Sequence, residues 1–266
     1  MCDSVNHGES TRRTLGRRVV VRSAAAAGAA LLAGRLTVRA EEGGVHWTYV
    51  GEEGPEFWGE LSPEWAACST GDQQSPINLH EPDGGDEPEM TIVQAPTAGG
   101  TLVNNGHTLQ VNLPEGNTLT LGDVEYELLQ FHMHTPSEHE VDGVLYPFEI
   151  HLVHKNEAGQ LAVLGVLVKE GEENPALTQV LTDIPEAGAE RPLADPVDVA
   201  ALLPADRNAF RYPGSLTTPP CSEGVTWTVF EQPMTVSPEQ LAAFRALYPL
   251  NARPVQPLND REVEEA

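Results

Sequence analysis

The segment YELLQFHMH, residues 126–134, predicts a β-strand that carries two histidines on one face. In an extended chain, residues i and i+2 point the same way and lie about 6.8 Å apart. His132 and His134 can therefore approach one metal ion, while Met133 faces the opposite side. A third imidazole, His151, lies in a second strand-like run that a hairpin connection could pair with the first. Three neutral imidazoles at about 2.0–2.1 Å leave one position of a tetrahedral zinc ion open, as in catalytic zinc sites.

Two other interpretations of these histidines remain open at this point. A His-x-His pair also occurs as a hydrogen-bonded polar row without a metal. His139 and His154 could instead complete a closed site with four ligands. His154 follows His151 by three positions, so a regular strand would turn it to the opposite face. Spacing alone does not exclude His139.

The rest of the chain is predicted to be mostly β. Short alternating or apolar runs are separated by turn residues, as in an antiparallel sheet. The runs are residues 90–93, 101–103, 108–113, 118–121, 126–134, 149–154, 160–169 and 226–230. Helices are predicted only at residues 174–181 and 238–247, the second with Ser237 as N-cap and Pro238 in its first turn. The length of 266 residues suits a single large domain.

The first 40 residues are predicted to be an export signal that is removed, leaving residues 41–266 as one domain. They hold seven of the 15 Lys and Arg, followed by an Ala-rich stretch and by a possible cleavage site after Ala40. Thr11-Arg12-Arg13-Thr14-Leu15 resembles a twin-arginine signal. An organelle transit peptide is the alternative. The apolar run is too short to span about 30 Å of hydrocarbon, so the predicted location is periplasmic or extracellular, without a stable membrane span.

The charge of the chain limits its partners. Without the first 40 residues, eight basic and 38 acidic residues remain, which gives a net charge of −30 in place of −25. Such a surface repels nucleic acid and anionic membranes. It does not hinder a neutral small molecule. Adaptation to high salt and an ordinary acidic secreted protein are equally open explanations of this charge.

Eight motifs resemble the α-class carbonic anhydrases, in the order of that family, across residues 46–262. They are Gln74-Ser75-Pro76-Ile77-Asn78, Asn104-Asn105-Gly106-His107, Gln130-Phe131-His132-Met133-His134, Ser137-Glu138-His139, Glu149-Ile150-His151-Leu152-Val153-His154, Leu161-Ala162-Val163-Leu164-Gly165, Ser215-Leu216-Thr217-Thr218-Pro219-Pro220-Cys221 and Asn251-Ala252-Arg253-Pro254. The resemblance implies a mainly β (α+β) fold with a large, twisted, mostly antiparallel central sheet and short peripheral helices. It also implies cis bonds before Pro76 and Pro220.

The resemblance assigns the zinc ion to His132, His134 and His151 and leaves His139 and His154 without a ligand role. Carbonic anhydrase is the usual example of a zinc site with three histidine ligands. The implied reaction is the reversible hydration of CO₂ to bicarbonate and a proton by zinc-bound hydroxide. A catalytically inactive binding domain and a zinc-hydroxide ester hydrolase are the alternatives. The retained histidines favour the enzyme.

The remaining roles also follow from the resemblance. Gln130, Glu149 and the carbonyl of Asn251 would orient the ligands, Thr217 with Glu138 would orient the nucleophile, and His107 would relay protons. The implied CO₂ pocket comprises Val153, Val163, Leu216, Thr218, Val225 and Trp227, and the implied water network comprises Tyr49, Asn104 and Gln110. Cys68 and Cys221 would form a disulfide, as an even pair in an exported chain also suggests. Exported bacterial members are often dimers, so a homodimer is expected.

Overall fold

The computed structural model describes residues 44–81, 89–93 and 99–266. The predicted export signal, residues 1–40, lies outside this part of the chain. The strands are β1 (Asn78–Leu79), β2 (Met90–Val93), β3 (Thr101–Asn104), β4 (Leu109–Asn112), β5 (Thr118–Leu121), β6 (Val124–His134), β7 (Glu140–Val141), β8 (Val144–Leu145), β9 (Phe148–Lys155), β10 (Leu161–Glu170), β11 (Glu190–Pro192), β12 (Ala209–Ser215), β13 (Glu223–Val236) and β14 (Glu264–Glu265). The α-helices are α1 (Trp58–Leu61), α2 (Ala67–Thr70), α3 (Pro175–Thr178) and α4 (Pro238–Arg245), and 3₁₀ turns span Gly51–Glu53, Pro63–Trp65 and Val199–Leu202.

Eleven of these strands form one large, twisted sheet, which confirms the predicted mainly β fold. The strand order is β11-β3-β4-β6-β9-β10-β13-β12-β14, and β5 and β2 extend from β6. The pairs in this sheet are antiparallel except β10 and β13, which run parallel. The strands β1, β7 and β8 form a separate small sheet.

The alternating side chains of the central strands divide the interior into two hydrophobic cores. One contains Phe131, Met133 and Ile150, which face away from the three histidines. The other contains Val163 and Trp227. Because β6 lies between β4 and β9, its histidines are held in the middle of the sheet and not at an edge.

The two predicted helices differ in how closely they match the structure. Ser237 begins α4 with a capping box in which its hydroxyl accepts from the Gln240 N–H, as its sequence predicts. The helix predicted at residues 174–181 is shorter, because only Pro175–Thr178 are helical. The Arg191 guanidinium donates hydrogen bonds to the carbonyl oxygens of Gln179 and Asp183. Because these carbonyls bind Arg191, the chain turns after Thr178 instead of continuing the helix.

Covalent and backbone features fix the segment around Cys221. The disulfide between Cys68 and Cys221 is present, as expected, and it joins α2 to the turn after β12. The bonds before Pro76 and Pro220 are cis, as the resemblance implies, and the bond before Pro136 is cis as well. Among the described residues, no helix is both long and apolar enough to cross a bilayer.

Candidate metal centre and active site

The sheet brings His132, His134 and His151 together. His132 and His134 project from one face of β6, and His151 of β9 is the cross-strand partner of His132. One ring nitrogen from each of the three lies within 4.8 Å of the others. Strand alternation supplies the first two imidazoles, and the register of an antiparallel pair supplies the third.

Each of the three rings is oriented by one hydrogen bond from its outer nitrogen. Gln130 Oε1 lies 2.9 Å from His132 Nδ1, the Asn251 carbonyl lies 2.7 Å from His134 Nδ1, and Glu149 Oε1 lies 2.8 Å from His151 Nε2. These contacts leave Nε2, Nε2 and Nδ1, respectively, for a shared ligand. Such partners fix the tautomer and direction of a metal-binding imidazole.

The three histidines fit a metal ion chemically as well as geometrically. His134 Nε2 is buried and has no hydrogen-bond partner within the part of the chain that the structure describes, a costly arrangement unless something else binds it. Burial lowers the pKa of His134 to about 4 and lowers the pKa values of His132 and His151 as well. All three rings are therefore neutral at pH 7, the form that binds a metal. Three imidazole nitrogens suit zinc.

Glu149 is the most heavily hydrogen-bonded carboxylate of the site. Its Oε1 accepts from the rings of His139 and His151, and its Oε2 accepts from the backbone N–H groups of Glu138 and His139. Burial alone would raise its pKa, but electrostatic interactions and hydrogen bonds with His139 and His151 hold it well below its usual value. Glu149 is therefore ionised beside His151.

Glu138 is a second buried carboxyl next to the histidines. Burial raises its pKa to about 7, and this rise is limited by His151, by the Arg253 N–H and by the Thr217 hydroxyl. The Arg253 N–H donates to Oε1 at 2.8 Å. The other oxygen, Oε2, lies 3.8 Å from His151 Nδ1 and has no partner with full hydrogen-bond geometry. Thr217 thus lies beside Glu138 without a well-formed bond to it.

The predicted pocket residues lie in one hydrophobic cluster next to His151. Its members among them are Val153, Val163, Leu216, Val225 and Trp227. The Trp227 ring centroid is 4.8 Å from that of His151, and the indole N–H donates to the Ser215 carbonyl at 2.9 Å. Thr218 follows Thr217 in the turn after β12, where its carbonyl accepts from the Cys221 N–H at 2.8 Å. The site therefore has one apolar wall.

His107 lies in the turn between β3 and β4. Its ring stacks on Trp47 with centroids 3.7 Å apart and an interplanar angle of 6°. Burial, with a smaller effect from His46, lowers its pKa below 6.5. Asn251 connects it to the metal centre, because the Asn251 side chain donates to the His107 carbonyl at 3.1 Å.

The three residues expected to contact water differ in their surroundings. Burial raises the pKa of Tyr49 well above 10.0, and the nearby Glu138 carboxylate adds to this rise. Gln110 is the cross-strand partner of His132. The Asn104 amide donates to the Pro185 carbonyl at 2.8 Å and accepts from the Tyr248 hydroxyl, so its observed contacts do not reach the three histidines. A role in a water network stays a prediction for all three.

The two other candidate histidines occupy distinct positions. His139 Nδ1 is 2.7 Å from Glu149 Oε1, so His139 lies behind the carboxylate and not beside the open nitrogens. His154 faces the opposite side of β9 and contacts the Leu152 carbonyl at 3.0 Å. Tyr212 and Trp47 contact His139 and His107, respectively, but their sequence contexts indicate no such role. An aromatic residue in a strand or loop carries no local signal of a distant polar partner.

Comparisons with known proteins identify a common family. A sequence model of the eukaryotic-type carbonic anhydrases matches residues 53–266. A carbonic anhydrase of Nostoc sp. is 46% identical over 228 residues, which covers 84% of this chain and 86% of the relative. A carbonic anhydrase of Pectobacterium carotovorum is 44% identical over 220 residues, which covers 82% of this chain and 89% of the relative.

A solved structure extends the similarity to the fold. The α-carbonic anhydrase from Thermovibrio ammonificans, in complex with the inhibitor sulfanilamide, superimposes with a TM-score of 0.80 at 45% sequence identity. The match covers 83% of this chain and 99% of that chain. Sequence and fold therefore lead to the same family.

Proposed function

Because this chain belongs to the α-carbonic anhydrase family, whose general reaction is the hydration of CO₂, we propose that it performs that reaction with zinc held by His132, His134 and His151. The observation that carries the proposal is the buried His134 Nε2, which has no hydrogen-bond partner among the described residues and lies within 4.8 Å of a ring nitrogen of His132 and of His151. Zinc, when bound, would act as a Lewis acid that lowers the pKa of a water molecule to about 7, the value for carbonic anhydrases.

The residues around the histidines keep the ligand set rigid and neutral. Gln130, Glu149 and the Asn251 carbonyl each occupy the outer nitrogen of one ring. The ionised Glu149 makes His151 a stronger electron donor and reduces the effective charge of a bound cation.

Thr217 and Glu138 would orient the attacking oxygen. The positive charge of a bound zinc ion favours the ionised form of Glu138. An ionised carboxylate can only accept, so the Thr217 hydroxyl must donate to it and keeps its lone pairs for the nucleophile. The apolar wall formed by Val163, Val225 and Trp227 suits CO₂, which offers no charge to bind.

His107 would carry the proton released in each turnover to solvent. An imidazole whose pKa is lowered from 6.5 by burial is neutral at pH 7 and can accept a proton and pass it to buffer. The partly exposed position of His107 supports this role.

The location and assembly of the protein are also proposed. We infer that residues 1–40 direct export and are removed, that residues 41–266 are the mature domain, and that it acts in the periplasm or outside the cell. The Cys68–Cys221 disulfide supports an oxidising compartment. The family resemblance supports a homodimer. Mass spectrometry of the secreted protein tests the removal of residues 1–40, and light scattering tests the homodimer.

Removal of one ligand nitrogen tests the catalytic proposal. His134→Ala should abolish CO₂ hydration and the stoichiometric binding of zinc, since the two remaining imidazoles cannot hold it tightly. His154→Leu is the matched control, because it removes a buried histidine from the opposite face of the same sheet. A His134→Ala protein that keeps one zinc per chain and the wild-type rate would refute the ligand assignment.

A further inference from the structure

A buried row of polar groups continues from the metal centre into the protein behind His151. Glu149 Oε1 lies 2.8 Å from His151 Nε2 and 2.7 Å from His139 Nδ1. His139 Nε2 lies 2.6 Å from the Tyr212 hydroxyl, which lies 3.0 Å from Ser75 Oγ. All five side chains are at most 1% exposed. The row has no contact with solvent.

These groups come from separate parts of the chain and are fixed by packing. His139 precedes β7, Tyr212 lies on β12, and Ser75 precedes β1. The Trp227 ring lies 4.9 Å from the His139 ring and 4.8 Å from the His151 ring, and it stacks on Tyr212 at an interplanar angle of 9°. The indole thus holds both imidazoles and the phenol in one arrangement.

Two glycines leave the space that the row requires. Gly165 is the cross-strand partner of His151, and a Cβ atom there would lie 3.3 Å from Glu149 Oε1. A Cβ atom on Gly214 would lie 2.2 Å from Ser75 Oγ. A side chain on Gly214 would displace Ser75, whereas a Cβ atom on Gly165 would also lie 3.0 Å from a Val229 methyl, so its neighbours would have to move by a few tenths of an ångström. The surrounding backbone is therefore shaped to these polar groups.

We propose that His139 and Tyr212 are positioning residues for the metal ion, acting through Glu149 on His151. Two of the four N–H groups that hold the Glu149 carboxylate belong to His139, one from its ring and one from its backbone. The rings of His139 and His151 both bind Oε1 of Glu149. The Tyr212 hydroxyl contacts the other ring nitrogen of His139, Nε2. This inference rests on the proposed ligand role of His151.

The physical effect is one of orientation. Without the ring N–H of His139, the carboxylate loses the donor that keeps Oε1 in line with His151. The His151 ring then gains freedom to rotate, and its Nδ1 spends less time directed at the metal position. Metal should leave faster, although no ligand has been removed.

The test measures metal release in variants that remove the row one step at a time. His139→Leu removes the ring donor, Tyr212→Phe removes only the hydroxyl, and His139→Asn keeps an amide N–H that can reach Glu149. Tyr126→Phe is the matched control, because Tyr126 is buried in the other core. The rate of zinc transfer to a chelator and the visible spectrum of the Co²⁺-substituted protein are recorded, with the unfolding of the metal-free protein measured in parallel.

We expect His139→Leu to lower zinc affinity by roughly 10-fold, the lower end of the effect of losing a direct hydrogen-bond partner of a metal ligand, because His139 acts one contact further out. Tyr212→Phe should give a smaller loss, and His139→Asn should restore much of the affinity lost in His139→Leu. The Co²⁺ spectrum should change in the first two variants and not in Tyr126→Phe. A purely structural role would change the unfolding free energy alone.

Wild-type zinc release and an unaltered Co²⁺ spectrum in Tyr212→Phe and His139→Leu would overturn the inference. If His139→Leu does not fold, Tyr212→Phe decides the question by the same criterion. Failure of the underlying assignment of His151 as a ligand has a different signature, since His151→Ala would then keep its zinc. The two proposals are therefore tested separately.

Discussion

Replacing His154 with leucine should make the protein more resistant to acid unfolding. His154 is 2% exposed, and burial lowers its pKa from 6.5 to about 4. It is therefore neutral in the folded protein at pH 5, whereas in the unfolded chain it is mostly protonated. The unfolded state binds more protons between these two values, so His154 destabilises the fold as the pH falls from about 6.5 to about 4.

The size of the effect follows from the shift. One pKa unit corresponds to about 1.4 kcal/mol, so the full penalty below pH 4 is about 3 kcal/mol. Between pH 7 and pH 5 the same relation gives about 2 kcal/mol. Above pH 7 the titration of His154 contributes nothing. Leucine has a similar volume and no titrating group, so its effect on packing should not vary with pH.

Urea unfolding of the metal-free protein from pH 7 to pH 5 measures this difference. Both proteins keep the other histidines, so their contributions cancel when the two unfolding free energies are subtracted. The wild type should lose about 2 kcal/mol more than His154→Leu over this range. Parallel pH dependence in the two proteins would show that His154 does not have the buried, neutral state described above.

Three further predictions concern the proton path, the packing behind the ligands and the disulfide. His107→Ala should slow CO₂ hydration in weak buffer and be restored by imidazole, and a loss of CO₂/bicarbonate exchange at equilibrium would contradict a proton-transfer role. Gly165→Ala places a Cβ atom 3.3 Å from Glu149 Oε1. Urea unfolding should therefore show a loss of about 1–3 kcal/mol of unfolding free energy, and zinc release should be faster. An unchanged unfolding free energy and an unchanged release rate would refute the close contact. Joint replacement of Cys68 and Cys221 by alanine opens a bridge between residues 153 positions apart and should cost up to about 5 kcal/mol of unfolding free energy, whereas wild-type stability would contradict a structural role.

Much of the sheet could be predicted because its pattern is local. Alternation along residues 126–134 predicts both the strand and the shared face of His132 and His134, and the observed β6 carries them in that way. The parallel pairing of β10 with β13 could not be predicted, because a strand pattern does not specify its neighbours. The helix α3 is shorter than predicted because Arg191, on β11, donates to the carbonyl oxygen of Gln179 just after the helix. The sequence of α3 does not indicate this distant contact.

The same distinction separates the parts of the candidate site. The His-x-His spacing indicates a metal by itself, and motif resemblance adds Glu149, Glu138 and Thr217. Tyr212 contacts His139 across 73 positions of sequence and Ser75 across 137. Nothing in the local sequence of any of the three indicates these contacts, because they arise only when β12 joins the same sheet as β9, with β10 and β13 between them.

Metal analysis combined with a stopped-flow CO₂ hydration assay tests the central claim most directly. The purified protein is assayed as isolated, after a chelator has removed metal, and after zinc has been returned. The account predicts one zinc per chain, loss of hydration with the chelator and recovery with zinc. Hydration that persists in the zinc-free protein, or a fully zinc-loaded protein that does not hydrate CO₂, would contradict it.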